Sequence, residues 1–205
     1  MTRKSSSGFS LVELMAVVGI MGLLAVVGVP AIRGLKGSGG RKEAVGKILG
    51  AMELARNTAV GTGTNVALVF PDDTFAQTNY AYRSMAMVQW NLTNSATPPA
   101  MVGSWIYLPE GMAIFPNSLT RLKDTGTNVN VTIPPVRTVG GTFRAIIFRG
   151  DGSLLDAEST NGIAIFEGRV SGGAPQLNQA NVTNFETFTL GRFTGRARGT
   201  LGPKP

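Results

Sequence analysis

The 205-residue chain contains no cysteine and no histidine. Without cysteine it cannot form disulfide bonds or use a thiol nucleophile, and it gives no indication of its redox compartment. Without histidine it lacks the commonest general base and the commonest metal ligand. Ser-His-Asp triads are therefore absent, and no Ser-Lys or paired-carboxylate motif stands out. The sequence predicts a protein that is not an enzyme, has no catalytic residues and needs no cofactor or metal.

Charged residues are also scarce, at 15% of the chain, compared with about a quarter in ordinary globular proteins. The 19 basic and 12 acidic side chains give a formal net charge of +7. A basic balance favours contact with anionic surfaces or polyanions but does not define a fold. Hydrophobic residues make up 43% of the chain, enough for a core, and the length leaves room for one globular domain.

The stretch from Leu14 to Ile32 has no charged side chain and, apart from Pro30, contains only apolar residues and glycine. A run of 18 or more apolar residues is long enough to cross a bilayer as one helix. Glu13 lies at the start of this run. Because a charge inside a membrane segment is unfavourable, such a residue is a candidate functional group whose partner should be sought.

An ordered motif leads directly into this run. Residues 8–15 read Gly-Phe-Ser-Leu-Val-Glu-Leu-Met and follow a short basic leader that contains Arg3 and Lys4. This segment resembles the class III signal of type IV pilins and type II secretion pseudopilins. The resemblance implies that a prepilin peptidase cleaves after Gly8 and that the new amino terminus, Phe9, is N-methylated.

The same resemblance implies roles for two residues of the helix. Glu13 would pair with the terminal amine of a neighbouring subunit inside a filament, and Pro30 would kink the helix. The implied partners are prepilin peptidase, other pilins or pseudopilins and, before assembly, inner-membrane lipid. The implied location is a single pass through the bacterial inner membrane with a periplasmic head, followed by a periplasmic or cell-surface filament.

Two other interpretations of the amino terminus are open at this point. A secretory signal peptide has an apolar core of only about 7–15 residues, whereas this run is longer and has Glu13 at its start. An ordinary signal anchor would not require Glu13. A signal anchor would make the chain a simple membrane-anchored envelope protein without a filament.

A glycine-rich stretch follows the apolar run. Residues 33–40 read Arg-Gly-Leu-Lys-Gly-Ser-Gly-Gly, and each glycine costs a helix about 1 kcal/mol relative to alanine. We predict a break at residues 36–40. Beyond it, apolar residues recur at spacings of three and four, which predicts an amphipathic helix over residues 41–60. Its stripe consists of Ala44, Val45, Ile48, Leu49, Met52, Ala55 and Ala59.

The rest of the head has the pattern of strands and turns. No long helical pattern follows residue 61, so we expect antiparallel pairing. Loops are predicted at residues 91–103, 117–128 and 178–184. The strand candidates are Val66 to Phe70, Tyr80 to Trp90, Ser104 to Leu108, Met112 to Phe115, Val129 to Ile133, Phe143 to Phe148, Ile163 to Glu167 and Phe185 to Leu190.

Three short motifs of the head resemble GspH/FimT-like minor pilins and pseudopilins. They are the strand and turn of residues 105–111, Trp-Ile-Tyr-Leu-Pro-Glu-Gly, the turn of residues 148–153, Phe-Arg-Gly-Asp-Gly-Ser, and the closing segment from Thr189 to Arg198. The resemblance implies a minor subunit of a type IV pilus or a type II secretion system.

Acidic residues cluster in one later loop. Asp151, Asp156 and Glu158 follow one another closely, and calcium requires several oxygen ligands at short range. Their spacing is not that of an EF-hand. A solvated hairpin turn is the favoured interpretation, with a calcium site as the alternative.

The carboxyl end is basic. After Glu186 no acidic residue remains, whereas Arg192, Arg196 and Arg198 do. Guanidinium groups bind phosphate well. Residues 195–198, Gly-Arg-Ala-Arg, resemble an element associated with DNA binding in minor pilins of competent bacteria. The alternatives are a solvated tail and contact with acidic neighbouring subunits.

These observations combine into one prediction of an α+β fold. It comprises a leader at residues 1–8, a hydrophobic helix at 9–35 and the break at 36–40. A pilin-like head follows at 41–190, in which an amphipathic helix packs on an antiparallel sheet. A flexible basic tail at 191–205 ends the chain.

Overall fold

The structure is a computed structural model that describes residues 11–90, 99–126, 128–134, 137–177 and 184–202, without the side chains of residues 25–39. A long helix, α1, spans Leu11–Thr62 and contains 52 residues. It ends where Gly63 adopts a φ of +65°, the left-handed conformation that commonly follows the last helical turn.

The glycine-rich break predicted at residues 36–40 is wrong at the level of secondary structure, because α1 continues through these residues. Glycine weakens a helix through its backbone entropy but adopts helical angles without steric strain. Good helix formers on both sides can therefore carry the helix across. The chain still divides at this place into two compact units, Met1–Gly39 and Gly40–Pro205.

The second unit is the head, and it begins with the apolar stripe that the periodicity predicts. Ala44, Ile48, Met52, Ala55 and Ala59 are all buried. Val45 and Leu49 are partly buried and pack at the margin of the same cluster. The predicted amphipathic helix and its core-facing side are confirmed.

A seven-stranded sheet forms most of the head. Its strands are β1 (Asn65–Phe70), β2 (Ser84–Trp90), β3 (Ala100–Tyr107), β5 (Lys123–Asp124), β6 (Val129–Ile133), β7 (Arg137–Gly141) and β8 (Arg144–Phe148). Their spatial order is β5-β8-β1-β2-β3-β6-β7. Neighbours are antiparallel except β3 and β6, which pair in parallel at Ala100 and Asn130.

A second sheet has five strands. They are β4 (Met112–Ile114), β9 (Ile163–Ser171), β10 (Ala174–Leu177), β11 (Phe185–Leu190) and β12 (Ala197–Gly202). The order is β10-β9-β11-β12, with β4 also paired to β9, and every pair is antiparallel. A short helix, α2 (Pro116–Leu119), and a 3-10 turn at Glu158–Asn161 lie between strands.

The largest apolar cluster joins α1 to both sheets. Side chains alternate between the two faces of a strand, so Leu68 of β1 faces this cluster while Ala67 and Val69 face a second cluster on the far side of the first sheet. Phe188 of β11 brings the second sheet into the first cluster. Residues of the second sheet such as Phe166 form a third, smaller cluster.

Several short elements differ from the sequence-based prediction. Strands β7 and β10 are not predicted, because the first contains two glycines and the second a proline, both unfavourable in strands. Residues 100–103 belong to β3 instead of the predicted loop. The predicted loop at 117–128 includes most of α2 and the two residues of β5.

Candidate functional site

The predicted processing positions lie at the amino terminus. Gly8 and Phe9 fall outside the described residues, so their roles remain predictions. Glu13 lies in the first turn of α1, and its side chain is exposed. The helix therefore presents Glu13 at its surface.

The helix around and beyond Glu13 exposes apolar side chains on every side. The large apolar residues are between 47% exposed, at Val17, and 76% exposed, at Leu11. They are Leu11, Val12, Leu14, Met15, Val17, Val18, Ile20, Met21, Leu23 and Leu24. Contiguous exposed apolar surface of this kind marks contact with another protein or with lipid.

Within the described part of the chain, no helix is both long enough and apolar enough to cross a membrane. Pro30 lies inside the bounds of α1 but in the stretch whose side chains are not described. The kink assigned to Pro30 remains a prediction.

The basic carboxyl end is the second candidate site, and here the predicted flexible tail is wrong for most of its length. Strand β12 pairs with β11 over its whole length, from Leu190 opposite Ala197 to Phe185 opposite Gly202. The sequence of alternating glycine and arginine gives no strand signal, because it has no apolar face. The strand is ordered by backbone hydrogen bonds to β11.

A tight turn precedes β12. The amide N–H of Gly195 donates to the carbonyl of Gly191 at 2.8 Å, and the N–H of Gly191 donates to the carbonyl of Arg196 at 3.0 Å. Gly195 has a φ of +60°, and an added Cβ would overlap the carbonyl oxygen of Gly152. Position 195 therefore requires glycine for both its conformation and its space.

The head holds this turn from two directions. Arg56 of α1 donates from Nε to the carbonyl oxygen of Thr194 at 2.7 Å, and the amide of Leu154 donates to the carbonyl of Arg192 at 2.9 Å. Hydrogen bonds from charged donors are stronger than neutral ones. The turn therefore presents its side chains from a fixed backbone.

The three predicted arginines all project into solvent from this region. Arg196 and Arg198 line one pocket together with Thr189 and Thr194, while Arg192 lies on the turn itself. None of the three makes an ion pair or a side-chain hydrogen bond with another described residue. Their charges are thus available to an external anion.

Two residues of this region were missed by the sequence-based prediction. Arg56 lies beside the apolar stripe of the helix, and that position was the only sign of its anchoring role. Phe193 is 85% exposed, and the guanidinium carbon of Arg192 lies 6.0 Å from its ring centre. An aromatic residue between two arginines of a glycine-rich turn was the available signal for an exposed aromatic side chain.

The acidic loop places its carboxylates in turns. Asp151 Oδ1 accepts from the hydroxyl of Ser153 at 2.6 Å and from its amide at 2.8 Å, and these bonds lower the pKa of Asp151. Asp156 Oδ1 accepts from the amide of Ser159 at 2.7 Å. No group of three or more acidic side chains gathers for a metal ion among the described residues. These carboxylates therefore stabilise the loop.

Comparison with known proteins places this geometry in a family. A family model described as "Type II transport protein GspH" matches residues 44–183, more than half of the chain. The chain belongs to the GspH family. A second model, described as "Prokaryotic N-terminal methylation motif", matches residues 3–29. No curated protein and no solved structure matches the chain.

Together the two matches identify an assembly subunit of the pilin and pseudopilin type. The resemblance inferred from residues 8–15 and from the head motifs is confirmed. Proteins of these families are structural subunits, not enzymes; they are anchored in a membrane and later lie in a periplasmic or surface filament. Other pilins or pseudopilins are accordingly the partners that membership of the GspH family supports.

Proposed function

We propose that this chain is a minor pilin or pseudopilin that prepilin peptidase cleaves after Gly8, that is N-methylated at Phe9, and that assembles through α1. The observation that carries the proposal is the exposure of apolar side chains all around residues 11–24, within the stretch that matches the methylation motif. A helix that is apolar on every side must be buried by other molecules.

Two environments can cover this surface in turn. Before assembly, lipid of the inner membrane surrounds the helix and the head lies in the periplasm. After assembly, the helices of neighbouring subunits replace the lipid in the filament core. Lipid is as apolar as the side chains, so this exchange is driven by packing and by the pairing of polar groups.

Glu13 supplies such a polar pairing. A carboxylate near the end of a membrane segment is unfavourable, and its burial is best tolerated when it meets an opposite charge with good geometry. The methylated amine of Phe9 on a neighbouring subunit provides that charge. Glu13 thereby favours the assembled state over the isolated subunit in lipid.

The first experiment determines the processed end of the protein. The full chain is expressed with and without a prepilin peptidase, and its intact mass and amino-terminal sequence are measured. We expect N-methylated Phe9 as the first residue only when the peptidase is present. A protein that still begins at Met1, or is cut elsewhere, would leave a membrane-anchored envelope protein and contradict the proposal.

The second experiment separates processing from assembly. Glu13→Ala should be cleaved normally but should be lost from sheared filaments by at least about tenfold, because an ion pair worth more than 1.4 kcal/mol is absent. Glu43→Ala is the matched control, since Glu43 is also an exposed helical glutamate and forms an ion pair with Lys47 at 2.8 Å. Equal incorporation of Glu13→Ala and wild type would refute the assigned role.

A second candidate function is DNA binding for uptake. It is favoured by the solvent-exposed charges of Arg192, Arg196 and Arg198 on a turn and strand of defined backbone. Guanidinium groups bind phosphates by paired hydrogen bonds and by charge, and such binding weakens steeply with salt.

The DNA hypothesis is tested with the full chain in a non-ionic detergent. Fluorescence anisotropy of a labelled duplex is measured at several salt concentrations. The double variant Arg196→Ala and Arg198→Ala should reduce affinity about tenfold or more and flatten the salt dependence by about two units. Arg137→Ala, in β7, is the control. An unchanged affinity in the double variant would exclude these arginines as the DNA site.

A further inference from the structure

The motif of residues 105–111 has no part in the assembly or DNA proposals, yet its turn lines a pocket. Pro109, Glu110 and Gly111 form one wall, and the pocket has a volume of about 250 Å³. The remaining walls come from the residue before β2, from the start of β4 and from β9. Their lining residues are Arg83, Met112, Gly168, Arg169 and Val170.

Charged side chains of both signs face this pocket. Arg83 is half-buried, whereas Arg169 and Glu110 are exposed. None of the three donates or accepts a side-chain hydrogen bond, or forms an ion pair, with any other described residue. Two guanidinium groups and one carboxylate therefore line one cavity without neutralising one another.

Backbone strain lies directly beside Arg83. Tyr82 has a φ of +55°, which is unusual for a bulky residue. Its amide donates to the carbonyl of Pro71 at 2.9 Å, and its carbonyl accepts from the amide of Ile114 at 2.7 Å. Such strain persists only when the surroundings impose it, and it collects at functional sites. The conformation of Tyr82 fixes the direction in which the backbone continues to Arg83.

The pocket lies beside Gly40, the first residue of the head unit. A Cβ built on Gly40 would lie 3.8 Å from the carbonyl oxygen of Glu110 and 3.9 Å from Cβ of Pro109. The next residue, Arg41, bonds Glu167 of β9 at 2.9 Å. In sequence, Gly40 follows Ile32, the last residue of the uncharged run, by only eight positions.

We propose that this pocket binds a phosphate ester that also carries a primary ammonium group, the chemistry of an ethanolamine phospholipid headgroup. Arg83 and Arg169 bind the phosphate oxygens through charged hydrogen bonds, and Glu110 accepts from the ammonium. The position next to Gly40 suits a headgroup, a source that rests on the proposed membrane anchoring. The same chemistry is found in soluble glycerophosphoethanolamine.

The test uses the full chain in a maltoside detergent and isothermal titration calorimetry. The probes are glycerophosphoethanolamine and glycerophosphoglycerol, which differ in the amine. Wild type should bind the ethanolamine compound at least about fivefold more tightly. Arg83→Gln and Arg169→Gln should each weaken both compounds about tenfold, the loss expected for one charged hydrogen bond. Arg137→Gln is the control.

Glu110→Gln gives the most specific result. It should weaken the ethanolamine compound about fivefold and leave glycerophosphoglycerol unchanged or tighter, because it removes the acceptor for the ammonium alone. An equal effect on both compounds would overturn the proposal, as would an equal loss in Arg137→Gln. Absence of binding by wild type would also overturn it.

A second arm identifies the source of the ligand. Native mass spectrometry compares retention of a short-chain phosphatidylethanolamine with that of the soluble compound. Preferential retention of the lipid supports a membrane headgroup, and equal affinity supports a soluble ester; both retain the recognition chemistry. Cleavage after Gly8 in Arg83→Gln is measured in parallel, so that failure of this pocket is distinguished from failure of the assembly function.

Discussion

The two described ends of helix α1 contain similar apolar side chains but differ in what covers them. Between Leu11 and Leu24 the large apolar residues are 47% to 76% exposed, whereas Ile48 and Met52 of the head are at most 1% exposed. In the part of the chain that the structure describes, the side chains of the first stretch are exposed. The second is enclosed by the strands that follow it.

The difference in exposure follows from the spacing of the apolar residues along the helix and not from their number. The head helix alternates its apolar stripe with charged residues such as Lys47 and Glu53, which assigns one side to the core and the other to water. After Glu13 the amino-terminal stretch has no charged residue up to Ile32. Its sequence therefore does not distinguish a core-facing side from a solvent-facing side. The amphipathic helix buries its apolar stripe against the sheets of its own head. A helix that is apolar on every side must be buried by other molecules.

Substituting one isoleucine in each stretch tests this comparison, and it has the largest expected effect on the stability of the head. Ile48→Ala removes a fully buried side chain and should lower the free energy of unfolding of the head by about 3 kcal/mol. Ile20→Ala removes the same atoms from a side chain that is 61% exposed and should change it by less than about 0.5 kcal/mol.

Both variants are measured as full chains in detergent by urea titration. The tryptophans, Trp90 and Trp105, both belong to the head and report its unfolding. If Ile20→Ala destabilised the head as much as Ile48→Ala, the two stretches would share one core and the comparison would fail.

Glycines within the helix test the same contrast with a smaller effect. An added Cβ at Gly46 or at Gly22 would meet no atom within 4 Å. Gly46→Ala should therefore stabilise the head by about 1 kcal/mol, because alanine has the higher helix propensity. Gly22→Ala should leave the urea midpoint of the head unchanged. A destabilised Gly46→Ala head would show that its helix is not formed as described.

The parts of the fold that were predictable from sequence have a local cause. The stripe from Ala44 to Ala59 follows the helical period, and β1 is a continuous apolar run because both of its faces are buried. Strand β12 has no such signal. It is ordered by pairing with β11 and by the turn that Arg56 holds from 138 residues away in sequence, and no local pattern encodes a contact of that range.

The candidate sites also differ in whether a local sequence pattern indicates them. Glu13 was recognisable because a lone carboxylate at the start of an uncharged run stands out locally. The arginines of the carboxyl end were recognisable by composition, but their fixed backbone was not. The pocket of Arg83, Glu110 and Arg169 could not be predicted, because its residues come from three separate segments. The pairing of β4 with β9 brings the segments of Glu110 and Arg169 together, and the pairing of β2 with β3 adds Arg83.

The smallest effect concerns pH and is confined to the head. Partial burial raises the pKa of Tyr107, which is still 38% exposed, with a further contribution from its hydrogen bond to Tyr80, and burial also raises the pKa of Tyr82. The folded head therefore holds these phenol protons more tightly than the unfolded chain, whose tyrosines titrate near pH 10. This contribution to stability is complete below about pH 10 and is lost as the pH rises further. Residues 11–24 contain no tyrosine.

We expect the urea midpoint of the head to fall above about pH 10, and to fall less in the double variant Tyr82→Phe and Tyr107→Phe. Each protein is compared with itself at pH 8, which removes the cost of losing the hydroxyl bond between Tyr82 and Asp73. The helical circular dichroism that remains after urea has unfolded the head is assigned to residues 11–24. This remaining signal should stay constant over the same pH range. A parallel fall in wild type and variant would show that other groups, such as the lysines, govern the alkaline transition, and would remove the tyrosines from the comparison.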